Sequence, residues 1–146
     1  MTEESNLAAS RRVLEEGFNT GDLDVIDEVC AENFVGHDAM TGDQDREAAK
    51  QSMAGYRAAF PDLHFTIEDI FAAGDKVAIR WSGTGTFQNE LMGIQPTGER
   101  GEPVEGINID RFENGKIVET WGQWDTLRFL RNIGALPESL AAPAAS

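Results

Sequence analysis

The sequence is short of the residues that make disulfides, metal sites and membrane spans. Its 146 residues include one cysteine, Cys30, so no intrachain disulfide can form, and the apolar pattern around it predicts a small buried side chain. His37 and His64 stand apart, with no Glu or Cys at ligand spacing beside either, which argues against a metal site. No apolar run approaches the length of a membrane span, and the N-terminus lacks a signal peptide's hydrophobic stretch, so a cytoplasmic protein is expected.

Positive charge is scarce as well. Lys and Arg number 12 against 26 Asp and Glu, which gives a formal net charge of −14. Nucleic acid and anionic membranes would repel such a chain, which argues against both as partners. The acids are dispersed, and Lys50, Lys76 and Lys116 are the only lysines. That pattern fits adaptation to high salt and an ordinary acidic cytosolic protein equally well.

The first half of the chain predicts helices. Apolar residues recur there every three or four positions among charged ones, the spacing that places them on one face of a helix. The predicted segments are a first helix over 6–18, a second from Asp22 to Val29, a short extended piece over 34–38, a polar loop over 39–45, and a third helix from Asp43 or Asp45 to Phe60.

In the second half the apolar period changes to two, which predicts strands. They cover 63–67, 77–87 and a hairpin over 104–125 that turns at Asn114-Gly115, with a loop over 88–101, a last helical turn or two over 126–133 and a loose tail over 136–146. Helices first and strands afterwards predict one α+β domain over 1–146. In it the N-terminal helices pack on a curved, mostly antiparallel sheet.

Motifs along nearly the whole chain carry a family resemblance. They are Asn19-Thr20-Gly21-Asp22-Leu23-Asp24, Asn33-Phe34-Val35-Gly36-His37-Asp38, Phe60-Pro61-Asp62-Leu63, Gly85-Thr86-Phe87, the segment 92–98, and the segment 111–121 with Asp125. In this order they resemble the SnoaL-like polyketide cyclase (ester cyclase) family, of the superfamily that includes nuclear transport factor, ketosteroid isomerase and scytalone dehydratase. The resemblance implies a cone-shaped α+β barrel enclosing a pocket, no metal or organic cofactor, and a homodimer formed through the convex face of the sheet.

The resemblance also implies a reaction and site residues. Characterised cyclases of the family close a ring in a polyketide precursor by intramolecular aldol condensation, so the implied partner is a small-molecule substrate. The family's general acid/base, an aspartate near the end of the last strand, corresponds to Asp125, and its early pocket histidine corresponds to His37. A structural or surface role is equally open for His37. The chain departs from the family at Arg111, where a second pocket histidine would fall, and over 87–91, where His-x-Gly-x-Phe is common.

The residues themselves allow an acid/base role for Asp125. Aldol closure removes a proton from carbon next to a carbonyl and returns one to the alkoxide, and a single sheltered carboxylate can do both. Alternation along the last strand puts Trp121 and Gln123 on the same face as Asp125, where an indole would exclude water from the carboxylate. The alternative is that Asp125 caps the helix that begins at Thr126.

Further binding residues are predicted on the penultimate strand and in the aromatic positions. Arg111 and Asn108 lie on opposite faces of that strand, so only one can face the pocket without a bulge. Arg111 is favoured because it stands where the cyclases keep their histidine, and the alternative is a surface arginine paired with Glu119. The resemblance to the ketosteroid isomerase branch implies another role for this strand: an aspartate there donates to an enolate oxygen, and its position corresponds to Asn108, whose amide could donate in the same way. Tyr56 and Trp81 are predicted to line the core or the pocket.

The residues and the resemblance together lead to three candidate functions. The first is a cofactor-independent cyclase or isomerase-type enzyme, in which Asp125 acts on a small carbonyl compound. The second is a non-catalytic small-molecule binding domain, suggested by Arg111 in place of the histidine. The third is a hydrolase or dehydratase, which requires His37 and Asp125 to lie close together.

Overall fold

The computed structural model describes residues 2–136 and shows four α-helices with a six-stranded sheet among them. The helices are α1 (Glu3–Arg12), which continues as a π-helical turn (Val13–Phe18), α2 (Asp24–Val29), α3 (Arg46–Ala59) and α4 (Thr126–Asn132). The strands are β1 (Cys30–Asp38), β2 (Gly42–Asp45), β3 (His64–Ala73), β4 (Lys76–Thr84), β5 (Val104–Glu113) and β6 (Lys116–Trp124). Apart from Leu136, the predicted tail lies outside the described residues.

The strands form one open sheet in the order β2-β1-β6-β5-β4-β3. β1 runs parallel to β6 and every other neighbouring pair is antiparallel, so the predicted α+β architecture with a mostly antiparallel sheet is confirmed. The helices α1 and α3 and the π-helical turn pack on one face, called here the inner face. No helix among residues 2–136 is both long and apolar enough to cross a bilayer.

Local sequence signals explain where the helices begin. Thr2 accepts a hydrogen bond from the backbone N–H of Ser5, whose side chain bonds back to Thr2, and this capping box starts α1 three residues before the predicted helix. The carboxylate of Asp45 accepts from the N–H of Ala48 at 2.8 Å and starts α3 as predicted. Pro61 follows the end of α3.

The hairpin between β5 and β6 follows its prediction, whereas the edge strand β2 is a correction. Asn114 and Gly115 take φ of 52° and 79°, the left-handed conformations that a two-residue turn needs. The segment predicted as a loop over 39–45 contains β2, which pairs with β1 from Val35 to Asp38. A four-residue polar edge strand shows no apolar alternation, so its sequence gives no strand signal.

The core lies between the inner face of the sheet and the helices. The sheet contributes Val77, Ile79 and Ile117, and the helices contribute Val25 and Met53, each at most 3% exposed. Cys30 is buried in the same cluster, as its apolar neighbours in sequence predict. Helices on one face leave the other, outer face of the sheet uncovered among residues 2–136.

Candidate active site

Strand register places three rows of residues across the inner face. From the α4 end inward they are Trp124–Gly106–Trp81, Asp38–Gly122–Asn108 and Gly36–Thr120–Asp110. In the first two rows a glycine stands between two larger side chains. A Cβ on Gly106 would lie 2.3 Å from the Trp81 ring, so only glycine allows this indole to lie across β5. Because Gly122 has no side chain, the amide of Asn108 can lie over β6: a Cβ on Gly122 would be 3.4 Å from Asn108 Oδ1 and 3.6 Å from its Nδ2.

Two adjoining chambers lie over these rows. The aromatic chamber has a volume of about 170 Å³ and is walled by Tyr56, Phe60, Phe65, Trp81, Trp124 and Phe129. The second chamber has about 160 Å³ and a largely apolar lining; it is called the polar chamber here for the polar side chains in its walls, which include Ser10, Thr41, Gln44, Ser52, Asp110 and Thr120. Both include Leu14, Phe18, Asp38, Tyr56, Asn108 and Gly122, so the middle row is their common boundary. No Lys or Arg among residues 2–136 lines either chamber.

Asp38 presents a carboxylate at this boundary. Its Oδ2 accepts from the backbone N–H groups of Met40 at 2.8 Å and Thr41 at 3.0 Å, and its Oδ1 accepts from the indole Nε1–H of Trp124 at 3.2 Å. These bonds fix the side chain without a cation beside it. An ionised carboxylate has about four lone-pair positions, so Asp38 can still accept from a ligand.

Asn108 faces Asp38 across Gly122 and offers a donor. Its Oδ1 accepts from the indole Nε1–H of Trp81 at 3.0 Å, which leaves its Nδ2 without an acceptor among residues 2–136. Tyr56 adds a second donor, whose hydroxyl donates to the thioether sulfur of Met40 at 3.9 Å, a weak acceptor. Burial, together with the negative charge of Asp38, raises the pKa of this phenol to about 12. Both groups are therefore neutral donors at physiological pH.

Asp110 lies deeper, in the polar chamber, and is buried. Its Oδ2 accepts from the hydroxyl of Ser10 at 2.7 Å and its Oδ1 from the hydroxyl of Thr120 at 2.6 Å. Burial raises the pKa of this carboxyl, and the two hydroxyl hydrogen bonds partly oppose the rise. Cys30 lines the same chamber, where burial raises the pKa of its thiol to about 12, so the thiolate is not formed at neutral pH.

The structure does not place Asp125 in a sheltered position. Its carboxylate accepts from the backbone N–H of Arg128 at 3.0 Å as the N-cap of α4, and its side chain is 45% exposed. It lines neither chamber. Trp121, 38% exposed, and Gln123 lie on the outer face of β6, because the inner face carries Thr120, Gly122 and Trp124. The predicted enclosure of Asp125 by Trp121 and Gln123 is therefore wrong.

Arg111 is also on the outer face, where it contacts Glu119 at 3.1 Å. The surface ion pair is thus the correct interpretation of Arg111, and Asn108 is the residue of that strand that faces the chambers. Tyr56 and Trp81 lie in the aromatic chamber, consistent with their prediction as pocket lining.

His37 is among the residues that line the polar chamber, but its ring contacts side chains of the outer face. Its ring nitrogens lie 2.7 Å from carboxylate oxygens of Asp43 and Glu119, which together raise the pKa of its imidazole, and the ring stacks on Trp121 at 5.7 Å. Within residues 2–136 no hydrogen bond joins His37 to Asp125. The part of the chain that is described also holds no group of three His, Cys, Asp or Glu side chains arranged for a metal ion.

The sequence interpretation missed Asp38, Asp110 and Trp124 as chamber residues. Asp38 lies within a motif that carries the resemblance, but the resemblance pointed to its neighbour His37. The signal that could have found Asp38 and Trp124 is the pair of glycines beside them, Gly122 and Gly106, since glycine inside a strand marks close approach of other groups to that face.

Comparison with known proteins assigns the chain to a family. The family model for SnoaL-like polyketide cyclases matches residues 8–133. A search of curated proteins finds no significant match.

Solved structures, in contrast, match the chain and agree with the family model. AclR, a proposed hydroxylase from Streptomyces galilaeus, is 30% identical with a TM-score of 0.81, over 94% of this chain and 89% of AclR. IdmH, a proposed polyketide cyclase from Streptomyces antibioticus, is 32% identical with a TM-score of 0.76, over 88% of this chain and 98% of IdmH. A SnoaL-like protein from Jannaschia sp. CCS1, 24% identical with a TM-score of 0.82 over 92% and 95%, shares the fold. With the match over 8–133, these similarities show that the chain belongs to the SnoaL-like polyketide cyclase family.

Proposed function

We propose that the protein is a cofactor-independent cyclase or isomerase-type enzyme that acts on a small carbonyl compound by general acid/base catalysis. The observation that carries this proposal is the row Asp38–Gly122–Asn108, which sets a carboxylate and an amide donor on either side of a glycine at the boundary of two chambers. Two strand spacings, about 10 Å, separate the backbones of Asp38 and Asn108. The amide of Asn108 reaches over Gly122 toward Asp38, and a ligand in the chambers that both residues line can contact the two groups together.

Each side chain has a role that its contacts allow. The Asp38 carboxylate takes a proton from the carbon next to a carbonyl, while Nδ2–H of Asn108 donates to the enolate oxygen that forms. In an aldol closure the enolate carbon then attacks a second carbonyl of the same molecule, and protonated Asp38 returns the proton to the resulting alkoxide. A positioned base contributes about 10²–10⁴-fold to such a step, and one oxyanion donor about 10²–10³-fold.

The walls of the chambers favour a neutral, flat substrate. The aromatic chamber presents rings on several sides, and the acidic side chains that line it are Asp38, Glu99 and Glu102. These acids would repel a carboxylate or phosphate on the substrate. A polyketide-like ketone or ester fits this chamber, in line with the proposed cyclase activity of IdmH.

Proton abstraction can be tested before the substrate is known. We expect the protein to accelerate exchange of the hydrogens next to the carbonyl of 1-tetralone in D₂O, followed by ¹H NMR. In Asp38→Asn this acceleration should fall about 100-fold or more, because the amide cannot accept the proton. Asp69→Asn is the control, since Asp69 pairs with Arg80 on the outer face.

The same assay decides the assignment that the resemblance gives to Asp125 and His37. Loss of exchange in Asp125→Asn, with full exchange in Asp38→Asn, would contradict the role proposed for Asp38 and establish that of Asp125. Binding of 1-tetralone without any exchange would instead favour the non-catalytic binding domain, which is compatible with an Asp38 carboxylate already bound by three protein donors. The hydrolase or dehydratase receives no support from geometry, since His37 and Asp125 bond to other residues.

The proposal includes a homodimer formed through the outer face of the sheet. The large apolar side chains exposed on this face are Val35, Phe71, Ile107, Ile109 and Trp121. Register aligns Phe71, Ala78, Ile109 and Trp121 in one row across four strands. Contiguous apolar area of this kind marks an interaction surface. Cytoplasmic location and adaptation to high salt stay predictions from composition.

A further inference from the structure

The proposed mechanism leaves Asp110 without a task. Asp110 is 6% exposed and lines the polar chamber. Its Oδ2 accepts a hydrogen bond from the hydroxyl of Ser10, and its Oδ1 accepts one from the hydroxyl of Thr120. Burying a carboxylate costs free energy unless its lone pairs are satisfied. Two of about four lone-pair positions are filled by protein donors, so Asp110 has capacity for one more donor from the chamber side.

We propose that Asp110, held by Ser10 and Thr120, forms a second substrate subsite. It binds a hydroxyl group at one end of the ligand, while the carbonyl group at the other end of the same ligand lies at Asn108. The inference rests on the proposed function for the place of the carbonyl. It adds a specificity determinant at the far end of the cavity.

Strand geometry fixes the ligand's shape. Asn108 and Asp110 are two residues apart on β5 and point to the same face, so their side chains leave the sheet about 7 Å apart. A ligand that reaches both carries a carbonyl and a hydroxyl at opposite ends of a rigid body. A fused bicyclic ketone with a distal phenol has this arrangement, and Asn108 and Asp110 both line the polar chamber in which it would lie.

The protein groups that already bind Asp110 indicate that the ligand group at this subsite is a hydroxyl rather than a cation. Ser10 and Thr120 both bind Asp110 through neutral hydroxyls. A ligand ammonium would have to lose its hydration in the same buried place, at a cost that a neutral hydroxyl does not incur. The competing role is structural, since the same bonds tie α1 to β6 and need no ligand.

The test compares three ligands by isothermal titration calorimetry: 6-hydroxy-1-tetralone, 6-methoxy-1-tetralone and 1-tetralone. The wild-type protein should bind the hydroxy ketone about tenfold more tightly than either of the others, the effect of one buried hydrogen bond. In Asp110→Asn the preference should shrink to a few-fold, and in Asp110→Leu it should vanish. Asp69→Asn, the same exchange on the outer face, should keep the wild-type preference.

The outcomes separate this subsite from the proposed function. A preference that survives unchanged in Asp110→Asn, or is absent from the wild type, overturns the subsite and leaves Asp110 as a structural tie. Failure of all three ketones to bind overturns it as well. A preference lost in Asp110→Asn while deuterium exchange is absent supports the subsite and rejects the catalytic proposal. If Asp110→Leu does not fold by circular dichroism, Asp110→Asn decides alone.

Discussion

A single buried carboxyl group, that of Asp110, links the stability of the fold to pH. Burial raises the pKa of this group above its usual 3.8, so between 3.8 and the raised value the folded chain keeps a proton that the unfolded chain has lost. Where the folded state binds more protons, the free energy of unfolding falls as pH rises. The cost of ionising Asp110 is therefore absent below this window and fully present above it.

We expect this dependence to disappear in Asp110→Asn. Urea unfolding of the wild type and the variant, measured in steps from pH 4 to pH 7, gives the difference in unfolding free energy at each pH. The difference should shift in favour of the variant as pH rises, because only the wild type must ionise a buried side chain. His37 and Glu119 titrate in the same way in both proteins, so their contributions cancel in the difference between the two unfolding free energies. A pH-independent difference would contradict the buried carboxyl as its source.

Single residues also show where sequence reasoning reached its limit. Alternation predicted that Arg111 and Asn108 lie on opposite faces of β5, and this is what the structure shows. The choice between the faces depends on which side the helices cover, a tertiary fact that one strand does not encode. Resemblance favoured Arg111, whereas packing put Asn108 inside beside Trp81.

At the scale of elements, α4 depends on the cap at its start. The helix has seven residues, Thr126–Asn132, and isolated helices of this length are unstable in water. Asp125 satisfies the N–H of Arg128, and Phe129 anchors the helix in the aromatic chamber. The cap therefore helps to hold one wall of the candidate site.

We expect Asp125→Ala to lower the unfolding free energy by about 1 kcal/mol, the usual cost of losing an N-cap side chain. The thermal midpoint should fall by a few degrees, measured by circular dichroism. Asp125→Ser, which retains a capping oxygen, should recover most of the loss. A wild-type midpoint in the alanine variant would show that the cap contributes nothing.

Elements were predictable to the extent that apolar spacing marks them. The third helix, the hairpin and the last helix follow their predictions closely, since each has a clear period and a capping or turn residue. The strand β2 was not predicted, because its four residues show no apolar alternation and lie at the edge of the sheet. The place of Asp125 was left open between a cap and a catalyst, and the structure shows the cap.

At the scale of the whole molecule, the outer face decides how the protein assembles. We expect the wild type to be a dimer by size-exclusion chromatography with light scattering, and Ile109→Glu to be a monomer. Ile109 is 39% exposed in the single chain. A glutamate in its place would be buried in the interface without a partner of opposite charge. Leu127→Glu, on α4, is the matched control and should remain dimeric. A wild-type chain that is monomeric at all concentrations would contradict the proposed interface.

The overall architecture could be predicted from sequence because motif order and periodicity agree over nearly the full length. The site could be predicted only in part, since it is made by register between strands distant in sequence. Asp38 and Asn108 are 70 positions apart and meet only through the parallel pairing of β1 with β6 and the antiparallel pairing of β6 with β5.

The indole hydrogen bonds give the molecule built-in optical reporters. Trp124 donates to Asp38 and Trp81 donates to Asn108, so any guest that competes for either acceptor changes the surroundings of a fluorophore. The third indole, Trp121, stacks on the His37 ring on the opposite side of the sheet. Emission from these three positions thus distinguishes events inside the cavity from events at the exposed surface, with no dye attached.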